Sequence, residues 1–142
     1  MGSSGVRSRE EFRQVLERVL DGVDGDPRTG AVLRAADLAV RFEFPDLGLV
    51  LNVASSDDPD HHLRWAFADD ASFSSKLELR MDSAVANGYL QGSESLAVAL
   101  ARGWVRCSGE SQYALLYLPA IRLLCEPYRN LVTDEYPHLA AA

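Results

Sequence analysis

The sequence has few of the residues that build metal, redox or nucleophilic sites. Only two cysteines and three histidines occur among 142 residues. Cys107 and Cys125 lack the Cys-x-x-Cys spacing of zinc and redox sites, and each lies in an apolar stretch, so we expect two reduced, buried thiols. His61 and His62 stand beside several aspartates, but adjacent strand residues point to opposite faces. We therefore expect a solvated acidic loop there and no metal site.

Sequence signatures of catalysis are also missing. The chain contains no Gly-x-Gly-x-x-Gly, no phosphate-binding loop and no Gly-x-Ser-x-Gly nucleophile elbow. Acidic pairs such as Asp69 and Asp70 are more typical of soluble loops than of a general acid–base pair. We therefore expect a protein that is not an enzyme and has no cofactor. The alternative, an enzyme acting on a bound apolar substrate, requires a buried titratable group such as Asp82 or Glu78 facing that substrate.

Positive charge and long apolar runs are scarce as well. The net charge is −7 and the isoelectric point about 4.9, which argues against nucleic acid and anionic membranes as partners. No apolar run approaches the roughly 18 residues of a membrane span, so we expect no stable membrane insertion. Residues 1–7 lack the apolar segment of a secretory signal. We expect them to be a disordered lead or tag, and the protein to be cytoplasmic.

The length of the chain indicates one domain, which we place at residues 8–132, with a loose tail over 133–142. Ser8 to Val23 carries apolar residues at helical spacing, with Ser8 as the predicted cap. A second helix, capped by Asp26, runs to about Leu38. Three short strands follow, joined by short loops such as the turn over residues 45–48, and this pattern predicts an antiparallel meander.

The segment from Lys76 to Leu124 is predicted to contain a strand, two short helices, another strand and a long apolar helix. Residues 76–81 alternate polar and apolar, which is typical of a strand with one buried face. Asp82 and Ser93 are the predicted caps of the two short helices. The final helix is apolar almost all round, which predicts that it is covered on most sides or borders a cavity. Pro119 should kink or split it.

The same segment resembles the C-terminal half of sterol carrier protein type 2 domains. The resemblance rests on the run from Tyr89 to Gly103, followed by a strand and the Gly109-Glu110 step, and the match covers about Leu33 to Leu124. It implies an α+β fold, with a five-stranded, mostly antiparallel sheet covered by helices and an apolar tunnel. Members of this family bind sterols, fatty acids and fatty acyl-CoA without performing chemistry, which implies an apolar small molecule as the partner.

Apolar residues from the two short helices, the strand and the final helix are the candidate tunnel lining. They are Val85, Tyr89, Leu96, Leu100, Trp104, Tyr113, Leu116, Tyr117, Ile121 and Leu124. The functional interpretation is a ligand tunnel between these helices and one face of the sheet. The alternative is that they form a filled core. In that case the protein is a dimerisation or interaction module, with a homodimer or a partner enzyme in place of a ligand.

Overall fold

The computed structural model describes residues 5–68 and 73–140. The predicted pair Asp69 and Asp70 lies outside these ranges. The strands are β1 (Ala39–Phe44), β2 (Leu49–Ser55), β3 (Leu63–Ala66), β4 (Leu77–Met81) and β5 (Val105–Gly109). The helices are α1 (Arg9–Asp24), α2 (Thr29–Ala35), α3 (Ser83–Leu90), α4 (Leu96–Ala101), α5 (Ser111–Ile121), α6 (Cys125–Glu135) and α7 (Pro137–Ala140). A 3₁₀ turn over Arg122–Leu124 joins α5 to α6.

The strands form one mixed sheet in the order β3-β2-β1-β4-β5. β1 and β4 are parallel neighbours, and the other three pairs are antiparallel. The parallel pair arises because the chain leaves the β1–β3 meander and returns to the open edge of β1. This architecture confirms the predicted α+β fold with a five-stranded, mostly antiparallel sheet covered by helices.

One face of the sheet carries the hydrophobic core. Because strand side chains alternate between faces, Val40, Phe42 and Phe44 of β1 share this inner face with the apolar residues of β2 and β4. The stripe of α1 packs on it, and the rings of Phe12 and Phe44 meet edge to face with centroids 5.2 Å apart. The side chain of Ser8 caps α1 as predicted, accepting a hydrogen bond from the Glu11 amide at 3.1 Å.

The outer face of the sheet is largely polar. Arg41 lies within 3.6 Å of Glu43 and Glu78, and Arg80 lies 3.8 Å from Glu43. β2 differs because Asn52 is buried there, donating to the Ala68 carbonyl at 2.6 Å. The Ala68 backbone, directly after β3, thus covers Asn52 on the outer side of β2.

Both short helices are capped differently from the prediction. Asp82 precedes α3 but makes no capping bond with its side chain. The carboxylate of Asp46, in the β1–β2 turn, accepts from the Ser83 amide at 2.9 Å and from the Ser83 hydroxyl at 2.6 Å. Ser95, rather than Ser93, caps α4 by accepting from the Val98 amide. Tertiary packing supplied the Asp46 contact, which local spacing does not reveal.

Pro119 does not split α5. The α-helix continues through it to Ile121 and tightens into the 3₁₀ turn only afterwards. Proline at this position removes a hydrogen bond to the carbonyl four residues earlier, which belongs to Leu115. The side chain of Leu115 is 79% exposed, so this turn of the helix faces solvent and water can serve the freed carbonyl.

The C-terminal segment is packed, in contrast to the predicted loose tail. α6 continues to Glu135, and Leu139 of α7 is fully buried. The Leu139 carbonyl accepts from the side-chain amides of Asn87 at 3.1 Å and Gln91 at 2.7 Å. The burial of Leu139 and the two hydrogen bonds to its carbonyl therefore hold the C-terminal segment against the end of α3.

Candidate functional site

An apolar cavity lies between the inner face of the sheet and the helices that cover it. The space open to the centre of a water molecule is about 40 Å³. Helices α1 and α3 and the strands β1, β2 and β4 contribute most of the lining. From the helices come Leu16, Val19, Leu20, Ala86, Tyr89, Leu90, Leu96, Ile121, Leu124 and Tyr128. From the sheet come Phe42, Phe44, Leu51, Val53, Leu79 and Met81.

The cavity is small in this structure. A single water needs roughly 10–15 Å³ of such space, so the cavity has room for about three waters and not for a lipid. Its lining side chains are aliphatic or aromatic, and such cavities stay dry or take apolar molecules. The expected tunnel is therefore represented here by a small internal apolar space.

Four of the ten predicted lining residues lie at this cavity. They are Tyr89, Leu96, Ile121 and Leu124. Leu100 and Tyr113 are partly buried against the core, and Tyr117 is fully buried, with its hydroxyl donating to the Asp37 carbonyl at 2.9 Å.

Of the other three predicted residues, Val85 is partly buried against the core, and Trp104 and Leu116 are exposed. Leu116 is 51% exposed on α5, and Trp104 is 42% exposed. Val85 and Trp104 border an open depression on the surface that also contains Arg80 and Arg106. This depression lies at the rim of the sheet and is polar, in contrast to the apolar cavity.

Sequence reasoning did not name the lining residues from α1, α6 and the sheet. Their periodicity identified the core faces of α1 and β1 correctly, but periodicity cannot show which part of a core borders free space. Tyr128 is fully buried, and its hydroxyl donates to the Asn87 side-chain oxygen at 2.6 Å. The available sequence signal for this hydrogen bond was Tyr128 itself, an aromatic residue with mostly polar neighbours in α6.

Partly exposed lining residues mark the mouth of the cavity. Phe42, Tyr89, Leu96 and Leu124 all retain some solvent exposure, whereas most of the other lining side chains are buried. Burial raises the pKa of Tyr89 to about 12. The Cys125 thiol lies 3.6 Å from the Tyr89 carbonyl, so α3 and α6 meet at this mouth.

The two cysteines differ from the predicted buried thiols. Cys107 is exposed and Cys125 is half-buried. Cys107 pairs in register with Leu79, which is only 2% exposed. The helices therefore cover the inner face as far as β4 and leave this position on the edge strand β5 open.

The histidine pair joins β3 to the end of α1. His61 Nδ1 lies 2.7 Å from the Asp24 carboxylate, which also accepts from the amides of His62 and Leu63. Burial alone would raise the pKa of Asp24, but these hydrogen bonds lower it by more, so the pKa lies below its usual value of 3.8. The hydrogen bond to Asp24 raises the pKa of His61. In the part of the chain that the structure describes, no group of three potential ligands is placed to hold a metal.

The two acidic residues considered for catalysis lie away from the cavity. Glu78 is on the outer face beside Arg41, and Asp82 lies in the open depression.

Within residues 5–68 and 73–140, no helix is long and apolar enough to cross a membrane.

No family model matches the sequence, and no curated protein matches it. Solved structures, however, are similar over most of the chain. A conserved hypothetical protein of Thermus thermophilus, described as a possible sterol carrier protein, aligns with a TM-score of 0.59 at 16% identity. The alignment covers 91% of this chain and 94% of that protein.

Two further structures carry the sterol carrier name. The ubiquinone synthesis protein UbiJ-SCP2 aligns with a TM-score of 0.54 at 12% identity, covering 92% of this chain and 98% of the other. Sterol carrier protein 2 of Yarrowia lipolytica, in its apo form, aligns with a TM-score of 0.52 at 12% identity, over 82% and 90% of the two chains.

The same fold also occurs inside a much larger enzyme. The inverting sec-alkylsulfatase Pisa1 from Pseudomonas aligns with a TM-score of 0.50 at 12% identity. The match covers 63% of this chain but only 13% of Pisa1. At these identities the similarity establishes architecture alone. The strand order, the helical cover and the structural neighbours together show that this chain has the sterol carrier protein 2 fold.

Proposed function

We propose that the protein binds a hydrophobic small molecule, without performing chemistry on it, in the cavity between the sheet and helices α1, α3 and α6. The observation that carries this proposal is the wholly aliphatic and aromatic lining of an internal space with a partly exposed mouth. Such a space lacks dispersion partners on its inner side, so filling it with an apolar ligand is favourable. The sterol carrier names of the structural neighbours support the same choice.

A ligand larger than a few atoms requires the cavity to widen, and α4 is the element best suited to move. Ala99 is its only fully buried residue. Gly92 and Gly103 flank the helix with φ of +81° and +76°, a region that glycine adopts at little cost. Displacement of α4 would carry Leu96 away from the cavity and lengthen it toward the exposed part of β5.

Exposed apolar side chains favour a second candidate function. Leu115 is 79% exposed and Leu116 51% exposed on one turn of α5. The core beneath is nearly filled, which is what an interaction or dimerisation module would show. In this case the protein would form a homodimer or bind a partner enzyme, and it would hold no ligand.

Native mass spectrometry of the purified protein, incubated with dodecanol, dodecanoic acid or cholesterol, separates the two functions. We expect a 1:1 complex with at least one of them. Leu96→Trp places a bulky ring in the mouth and should weaken binding at least tenfold. Leu116→Trp is the matched control, because Leu116 does not line the cavity, and it should bind normally.

Two results would contradict ligand binding in the cavity, and the first of them would favour the interaction module. One is a bare polypeptide mass with all three compounds, combined with a stable dimer that Leu116→Trp disrupts. The other is ligand binding that Leu96→Trp leaves unchanged, which would place any ligand outside the cavity.

A further inference from the structure

The edge strand β5 is uncovered along one side and on both faces. It pairs with β4 alone and lies at the end of the strand order. Four of its five residues are exposed, and only Val105 is buried. In the part of the chain that the structure describes, no backbone hydrogen bond reaches its outer side. Such an edge presents alternate N–H and C=O groups with which another extended segment can pair.

The charges on the outer face of the sheet run in a row that ends at this edge. Glu43 of β1, Arg80 of β4 and Arg106 of β5 are successive cross-strand neighbours. The row is therefore negative, positive and positive, and like charges directly opposite each other on neighbouring strands are destabilising. A strand added beside β5 would place one of its residues next to Arg106, and an acidic residue there would restore the alternation.

The carboxylate of this row is already shared between two arginines. One oxygen of Glu43 lies 3.5 Å from Arg41 and the other lies 3.8 Å from Arg80. Arg106 has no carboxylate within ion-pair distance among residues 5–68 and 73–140. Its charge is thus left exposed at the edge of a chain whose net charge is −7.

The open depression at the start of β5 enlarges this cationic surface. It measures about 380 Å³, and Arg80, Arg106 and Trp104 border it. The guanidinium group of Arg102 lies 5.0 Å from the centre of the Trp104 ring, which is itself exposed. Asp82 is the acidic residue among the described residues that border the depression. The edge strand therefore begins beside three arginines and an aromatic ring.

We infer that β5 binds an extended acidic segment of a partner protein, which adds a sixth strand to the sheet and sets a carboxylate against Arg106. In strand addition the backbone hydrogen bonds supply affinity and the side chains supply specificity. Guanidinium and carboxylate groups form paired, charge-assisted hydrogen bonds.

Charge also argues against other occupants of this edge. A second copy of the chain, joined β5 to β5, would bring two identical arginine clusters together, and like charges across an interface are unfavourable. A nucleic acid would be repelled by the acidic remainder of the protein. The inference uses no residue of the apolar cavity except Met81 at its border, and it holds whether or not the cavity takes a ligand.

A labelled heptapeptide in which glutamate alternates with threonine tests the inference by fluorescence anisotropy at low salt and near neutral pH. We expect binding with a Kd below about 1 mM. A peptide with glutamine in place of every glutamate should bind about tenfold more weakly, because it lacks the charge-assisted bonds. Two further glutamate peptides carry N-methyl groups on alternate amides, one in each phase. The peptide whose methyl groups face β5 should lose binding, and the other should keep it.

Two substitutions assign the binding to the edge strand. Arg106→Gln should weaken binding of the glutamate peptide about tenfold. Arg9→Gln removes an exposed arginine of α1 and should leave binding unchanged. Arg106→Glu should abolish binding while raising the urea midpoint, because it replaces the like-charge pair with Arg80 by an opposite-charge pair. A rise in the midpoint would show that the loss of binding does not come from unfolding.

Five results would overturn the inference. Equal affinity for the glutamate and glutamine peptides would refute the acidic partner, and unchanged binding by Arg106→Gln would refute the edge of β5. Undiminished binding of both N-methylated peptides would refute strand addition. Tighter binding of a single-stranded oligonucleotide of equal charge would identify a nucleic-acid site instead. Absence of glutamate-peptide binding at about 1 mM would refute the docking surface, and it would leave the cavity function untouched.

Discussion

The buried hydrogen bond between Tyr128 and Asn87 should be one of the main contacts that fix α6 over the cavity. Tyr128 is fully buried and Asn87 is 2% exposed. The tyrosine hydroxyl donates to the Asn87 oxygen at 2.6 Å, and the Asn87 amide donates to the Leu139 carbonyl at 3.1 Å. One side chain of α3 therefore holds both α6 and α7.

Replacing Asn87 with alanine leaves the buried Tyr128 hydroxyl without its acceptor. A buried polar group that loses its partner costs about 1–3 kcal/mol. The Leu139 carbonyl keeps its bond from Gln91 at 2.7 Å, so it adds little to that cost. We expect Asn87→Ala to lower the free energy of unfolding by about 1–3 kcal/mol, and Tyr128→Phe to do the same by orphaning the Asn87 oxygen.

Urea unfolding monitored by circular dichroism measures these changes through the midpoint at constant slope. The decisive measurement is the double variant Asn87→Ala/Tyr128→Phe. It removes both partners, so no buried group is left unpaired, and its cost should fall below the sum of the single costs by about 1 kcal/mol or more. Gln91→Ala serves as the control, because Asn87 remains to serve the Leu139 carbonyl.

Strict additivity of the two single variants would refute this reasoning. It would mean that the hydroxyl and the amide oxygen do not depend on each other, and that this hydrogen bond does not fix α6 over the cavity.

Two further predictions concern charge and backbone geometry. Asp24→Asn should destabilise the protein most between about pH 4 and 6.5, as read from urea midpoints across pH. Because folding lowers the pKa of Asp24, its charge stabilises the fold above pH 3.8, and this contribution is lost on acidification. Because folding raises the pKa of His61, its charge stabilises the fold below pH 6.5, and this contribution is lost at higher pH. A loss of stability that does not change with pH would contradict this prediction. Gly103→Ala meets no atom within 4 Å but has φ of +76°, so it should cost about 1–2 kcal/mol. Gly109→Ala should cost more, because its new carbon would also lie 2.5 Å from the Lys76 carbonyl; equal midpoints for the two variants would contradict this.

Strong periodicity made much of the fold predictable from the sequence. The apolar stripe of α1 from Phe12 to Val23 has to be buried against another element, either a sheet or a helix. The alternation in β1 and β4 likewise assigned their faces. Glycine spacing after Tyr89 suggested the family whose fold the structure shows.

The features that sequence reasoning missed depend on contacts between distant parts of the chain. Asp46 caps α3 from a turn that lies 37 residues earlier, and Leu139 is anchored by side chains of α3. No local pattern encodes such pairs. The candidate site was harder to predict than these contacts, because Leu20, Phe44 and Tyr128 have the sequence pattern of ordinary core residues. Whether a core contains free space depends on how closely several elements pack together, which no single residue pattern shows.

The elements around the cavity divide into a fixed side and a loose side. α6 is held to α1 by the two Arg18–Glu135 bonds and to α3 by Tyr128. By contrast, α4 buries one alanine and is bounded by glycines with positive φ. Local opening is cheapest where few apolar contacts are lost, so widening of the cavity should begin at α4.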